Sequence, residues 1–144
     1  MTTLLTYMAD AHAQCDELFT QAENLAVDAQ WTELKVAFEA FTAGAEAHFK
    51  KEEQVLFPRV EAHMGTSVGP IQVMLMEHRQ IRVLITNLSA LIDDKNRDVF
   101  LGEAETLLIM LQQHNMKEEQ ILYPMIDGVL DTQIDAVIHE MEML

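Results

Sequence analysis

Cysteine occurs once in the 144 residues, at Cys15, so no internal disulfide can form and the fold must close on packing alone, which points to a reducing cytoplasm. Glycine (five) and proline (three) are also scarce, and no stretch alternates apolar and polar residues at the period of a strand. Both argue against a sheet-based fold. Lys and Arg number nine against 24 Asp and Glu, a formal charge of -15, which argues against nucleic acid and anionic membrane surfaces as partners. Long apolar runs are missing as well. The longest, Val83 to Ile92, contains Asn87 and falls short of the roughly 20 residues that span a bilayer. The start, Met1-Thr2-Thr3-Leu4-Leu5, has no basic segment and soon reaches Asp10, so no signal peptide is expected.

What is present is apolar residues at helical spacing. Hydrophobic residues make up 49% of the chain, enough for residues 1–144 to form one domain with its own core. Leu5, Met8, His12, Cys15, Phe19 and Ala22 mark a first helix over residues 4–27. Leu34, Phe38, Phe41, Ala45, His48, Glu52 and Val55 mark a second from Trp31 to Phe57, with Pro58 leaving a kink or one loose turn to about Met64. Gly65 to Gly69 is a linker, and Pro70 suits a first helical position. Met74, His78, Ile81, Ile85, Leu88 and Ile92 define a third helix. Leu107, Leu111, His114, Glu118 and Ile121 define a fourth, from Asp98 to Tyr123, with Pro124 at its end. A short tail helix covers residues 131–143. Short connections between four long helices imply an all-α, up-down-up-down four-helix bundle.

One phrase is written twice. His48-Phe49-Lys50-Lys51-Glu52-Glu53-Gln54-Val55-Leu56-Phe57-Pro58 returns, 66 positions on, as His114-Asn115-Met116-Lys117-Glu118-Glu119-Gln120-Ile121-Leu122-Tyr123-Pro124. The same shift carries His12 onto His78. An internal repeat implies two halves about a pseudo-twofold axis, with equivalent side chains converging at the centre. In a helix, positions i and i+4 share a face, so His48 with Glu52 and His114 with Glu118 each aim two donors the same way. All four His lie in apolar stripes, where an unpaired polar group is costly and coordination would satisfy it. Imidazole with carboxylate suits iron, manganese or zinc rather than calcium or magnesium.

The order His-x-x-x-Glu is not the Glu-x-x-His of ferritin-like bundles. It resembles the hemerythrin-like family, the His-His-Glu cation-binding domains, along essentially the whole chain. The resemblance implies a non-haem pair of iron ions, Fe2+ or Fe3+, with an oxo or hydroxo bridge. His12 and His48 would ligate one ion, His78 and His114 the other, and Glu52 and Glu118 would bridge them. Zinc or manganese could occupy such a site in a purified sample. Oxygen-carrying members place two His four residues apart on the third helix, but here Arg82 stands where that fifth His would be.

Arg82 maps onto Asp16 under the 66-residue shift, and both follow a candidate ligand by four residues, so a salt bridge between them beside the metal pair is expected. Glu53 and Glu119 project about 100° further round the helix than the bridging pair and read as surface partners of Lys50, Lys51 or Lys117, with a substitute ligand the alternative. Glu23 is a weaker candidate near the site, His63 and His139 read as surface residues, and Cys15 and the methionines as packing. Tyr7 and Tyr123 read as packing too, with electron relay the alternative. Three functions fit. The first is binding or sensing of dioxygen or another diatomic such as nitric oxide, through a pocket walled by Ile81, Ile85, Leu107 and Leu111. The second is an enzyme acting on peroxide or nitric oxide, or a protein that delivers iron to damaged clusters. The third is a metal or redox sensor.

Overall fold

The computed structural model describes residues 2–144, and no strand occurs among them. Helix α1 (Leu4–Val27) opens with Thr3, whose hydroxyl accepts from the Thr6 N–H at 3.0 Å. Two more of its free N–H groups, on Leu4 and Leu5, donate to the Asp127 carboxylate at 2.8 and 3.2 Å. That negative charge also suits the positive end of the helix dipole. Helix α2 (Trp31–Lys51) runs back beside α1 and continues through a wide turn, Glu52–Leu56, into α3 (Phe57–Met64). Gly65, at φ 73°, ends α3 in the left-handed conformation that glycine adopts without strain. Helix α4 (Gly69–Asp93) and helix α5 (Arg97–Lys117) repeat the pattern, followed by the wide turn Glu118–Leu122 and α6 (Tyr123–Leu130). A short 3-10 turn leads to α7 (Ile134–Glu142).

The repeat extends to the turns. Ala29 and Lys95, 66 positions apart, have φ of 52° and 53°. Gln30 N–H bonds the Leu25 carbonyl and Asn96 N–H the Leu91 carbonyl, each at 3.0 Å. The two hairpins are thus closed by turns of the same conformation.

Pro58 and Pro124 do not end their helices. The preceding segments have π geometry, with the N–H of Phe57 bonding the carbonyl of Glu52 and that of Tyr123 the carbonyl of Glu118. One extra residue per turn absorbs the hydrogen bond a proline cannot make, and the rod continues. The second rod therefore reaches Met64, as a full helix where a kink or loose turn was expected, and the fourth reaches Leu130, beyond the Tyr123 end expected from Pro124.

Buried side chains form two apolar clusters. One, at the turn end of the hairpins, includes Phe19, Phe38, Phe41, Ile81, Ile85, Phe100, Leu107 and Leu111. The other includes Met8, Leu56, Phe57, Met74, Leu122 and Tyr123, closed by Ile134, Val137, Ile138 and Met141 of α7. Between them lies a polar layer. Ile121, expected inward, is 62% exposed while its repeat mate Val55 is 6% exposed. The cause is α7, which packs over the Glu52–Leu56 turn and leaves the other turn bare.

Candidate metal centre

The polar layer holds all six predicted residues. His12, His48, His78, His114, Glu52 and Glu118 come from the four rods and are buried, both carboxylates at 0% exposure. Each carboxylate lies between the two halves. Glu52 Oε1 is 3.5 Å from Nε2 of its own helix-mate His48 and 3.2 Å from His78 Nε2 across the bundle. Glu118 Oε1 is 3.2 Å from His114 Nε2 and 3.2 Å from His12 Nε2. His12 Nε2 and His48 Nε2 lie 3.0 Å apart. Two sets of donors within reach of one cation result: Glu52, His78, His114 and Glu118 in one, His12, His48 and Glu118 in the other.

These atoms approach without pairing. Glu52 Oε1, both oxygens of Glu118, His78 Nε2 and His114 Nε2 are buried with no hydrogen-bond partner. Each such group costs about 1–3 kcal/mol, and here they concentrate at one point with their lone pairs facing each other. A cation satisfies all of them together, so the residues fit a metal site. The π turns contribute by setting Glu52 and Glu118 at the start of a widened turn, a device that recurs at functional sites.

Electrostatics of the metal-free layer follow from the same crowding. Burial, then the Glu118 charge, raises the Glu52 carboxyl well above the usual range. Glu118 is held well below it: burial opposes this, but the neighbouring Glu52 carboxyl and the His114 and His12 imidazoles outweigh it. Burial, then the His12 charge, pushes the His48 imidazole down to about 3. His12 and His114 are raised despite burial, because Glu118 lies 3.2 Å from both and Glu119 and Glu77 hold their outer nitrogens.

The outward nitrogens are held as well. His78 Nδ1 donates to Glu53 Oε2 at 2.7 Å, His12 Nδ1 to Glu119 Oε2 at 2.8 Å, and His114 Nδ1 to Glu77 Oε1 at 2.8 Å. Such bonds place the proton on Nδ1 and leave Nε2 free to ligate. Glu53 and Glu119 are thus partners of the imidazoles rather than of surface lysines. Projection on one helix points them away from the centre, but the His they meet belongs to a neighbouring rod. Their exact recurrence in the repeat was the available signal. Glu77 had none, since its repeat position is Ala11.

The Asp16–Arg82 salt bridge does not form. Arg82 instead donates to Glu53 at 2.8 and 3.0 Å and to Glu46 at 2.7 and 3.0 Å. Positions related by a twofold axis lie on opposite sides of it, so Arg82 meets α2 while Asp16 lies across the centre. The Arg82 guanidinium also covers Phe49, whose ring stacks on His78 at 4.0 Å. Tyr123 reaches the centre, its hydroxyl donating to Glu52 Oε2 at 2.8 Å and lying 3.3 and 3.4 Å from the Nε2 atoms of His48 and His12.

The expected gas pocket also differs. Ile81, Ile85 and Leu107 are packed into the core, and the small cavity beside His12 and His48 is walled by Phe41, Ala45, Phe49 and Leu111, with Asp16 and Asn115 at its edge. Cys15 lines the same cavity, and burial pushes its thiol up to about 11, so it stays protonated. Glu23 lies away from the centre beside Glu105, and His63 and His139 are exposed. No helix of the described residues is long and apolar enough to cross a membrane.

Residues 3–126 match the model of the hemerythrin HHE cation-binding domain. The iron-sulfur cluster repair protein YtfE of Musicola paradisiaca (strain Ech703) is 34% identical over 87 residues, covering 54% of this chain and 39% of that protein. The protein of the same name from Edwardsiella ictaluri (strain 93-146) is 33% identical over 89 residues, covering 55% and 40%. The chain thus spans about two fifths of the length of these relatives. No solved structure matches it.

Proposed function

We infer that this chain, which belongs to the hemerythrin HHE cation-binding domain family, holds a pair of iron ions as cargo and supplies iron to damaged iron–sulfur clusters. The observation that carries the metal reading is the group of unpartnered Nε2 and carboxylate atoms converging between the two apolar clusters. His12 and His48 would hold one ion, His78 and His114 the other, and Glu52 and Glu118 would be shared. Iron would supply the cluster with the metal it has lost, and the protein's part is to hold and release it. Delivery as the use of that iron is supported by the likeness to proteins named for cluster repair. It is also supported by Arg82, which stands where a fifth imidazole would tighten the hold and is instead engaged by Glu46 and Glu53.

Three of the four imidazoles have their orientation and tautomer fixed by a carboxylate, which excludes the wrong tautomer before a metal arrives. Lys117 in turn pairs with Glu77, so the support extends to the surface. The test is incubation of the iron-loaded chain with an iron–sulfur protein whose cluster has been oxidatively damaged. Recovery of the cluster spectrum in proportion to iron lost from the chain is expected. No recovery, with iron retained, overturns delivery.

A second reading is binding of dioxygen or nitric oxide, favoured by the apolar cavity against His12 and His48. A reversible visible spectrum on exposure of the reduced, iron-loaded chain to either gas, with no transfer to the damaged protein, would favour it over delivery.

A further inference from the structure

The repeat sets two positions side by side. In the second hairpin, Glu77 accepts from His114 Nδ1 at 2.8 Å and pairs with the Lys117 ammonium. Sixty-six positions earlier these three residues are Ala11, His48 and Lys51. The imidazole and the ammonium are kept, and the carboxylate between them is lost. His48 is only 7% exposed, and its Nδ1 is buried with no partner, the one Nδ1 of the four candidate ligands so left. Lys51 turns its ammonium to the Tyr7 hydroxyl at 3.0 Å. In the seam between α1 and α2 lies a cavity of about 200 Å³ lined by Ala11, Cys15, Gly44, Ala47, His48 and Lys51, among others. Gly44 keeps one wall thin, since a Cβ there would come within 3.4 Å of Cys15 Sγ.

We propose that this cavity binds a small carboxylate, which sits between His48 and Lys51 as the Glu77 carboxylate sits between His114 and Lys117. One oxygen accepts from His48 Nδ1 and the other pairs with the ammonium. The inference rests on the metal reading in one respect, that an ion on Nε2 keeps the proton on Nδ1 and so demands an acceptor there. On a chain of net charge -15 a free anion is held only where a local cation and a buried donor coincide, and here they do. The apolar share of the lining, from Ala11, Ala47 and Leu18, suits a ligand with a hydrogen or methyl behind its carboxylate.

The test is titration of the zinc-loaded chain with acetate and with formate, against chloride at equal ionic strength. It is followed by the NMR resonance of the His48 Nδ1 proton and by the melting temperature. A saturable shift of that resonance and a rise in melting temperature are expected, both absent in A11E, whose own carboxylate fills the place. In K51M the binding constant should be at least about tenfold weaker. No saturable response in the wild type overturns the proposal, as does a response unchanged in A11E, which would put acetate on the metal, or unchanged in K51M. The K51M arm decides the matter if A11E does not fold. Zinc content of the same samples tests the ligand set separately, and the melting response of the metal-free chain reads the cavity by itself.

Discussion

Around His78 and His114 the bundle places Phe49, Phe57, Glu53, Glu77 and Arg82, while around His12 and His48 the repeat-related positions hold Asn115, Tyr123, Glu119, Ala11 and Asp16. The first half is braced. Both of its imidazoles are held by carboxylates, one stacks on Phe49 with Phe57 nearly parallel at 6.2 Å, and Arg82 closes its outer side. The second half has one imidazole held and one with a free outer edge, two cavities against it, and a hydroxyl aimed at its centre. Duplication supplied the same ligands twice, and divergence of their neighbours made one subsite rigid and the other accessible. On the proposed function, iron would enter and leave through the His12–His48 half.

The strongest way to break this comparison is to remove what the halves share. The double variant E52Q/E118Q keeps every imidazole and leaves the exposed surface unaltered, and it is expected to lose paired metal binding, with elemental analysis giving less than one ion per chain. Retention of two ions would show that the carboxylates do not hold the pair together.

The metal-free chain sharpens the comparison through pH. The His48 imidazole falls from 6.5 unfolded to about 3 folded, so below pH 6.5 the unfolded chain takes up a proton that the folded chain refuses. Its contribution to stability is therefore lost as pH falls from 6.5 toward 3, at up to about 1.4 kcal/mol per pH unit. His12 and His114 act in the opposite sense. Their raised values give stability that is complete below pH 6.5 and lost as pH rises through those values. Urea unfolding of H48Q should then show a flatter acid limb than the wild type between pH 6.5 and 4, with the alkaline limb unchanged.

Smaller effects should separate the halves. E77Q leaves His114 with a weaker acceptor and frees Lys117, and the affinity of the tighter ion is expected to fall about 10- to 100-fold while the weaker ion is little affected. Competition with a chelator of known affinity reads both. Y123F makes the centre symmetric at that position, since its repeat mate is Phe57. Losing the bond to Glu52 should cost the metal-free chain about 1 kcal/mol in urea unfolding. A melting curve identical to the wild type would mean that the hydroxyl does not hold Glu52.

The convergence of the six side chains is legible in the repeat, because four His and two Glu at constant offset on apolar stripes can meet only in a bundle core. The helices followed from the same stripes. Past Pro58 the stripe gives only a kink or loose turn and past Pro124 nothing, since only the wide turn before each proline shows how the rod goes on. Glu53, Glu77 and Glu119 were misread or missed because their partners lie on other rods, which the periodicity of one helix cannot register. Asp16 and Arg82 show the converse error: repeat equivalence gives the twofold relation of two residues, and that relation sets them apart rather than together.

The most direct measurement is anaerobic titration of the metal-free chain with Fe(II), counting the iron retained after gel filtration. Saturation at two ions per chain is expected, the first bound more tightly than the second. Saturation at one, no retained iron, or two ions bound with equal affinity would contradict a duplicated centre with one braced half and one open half.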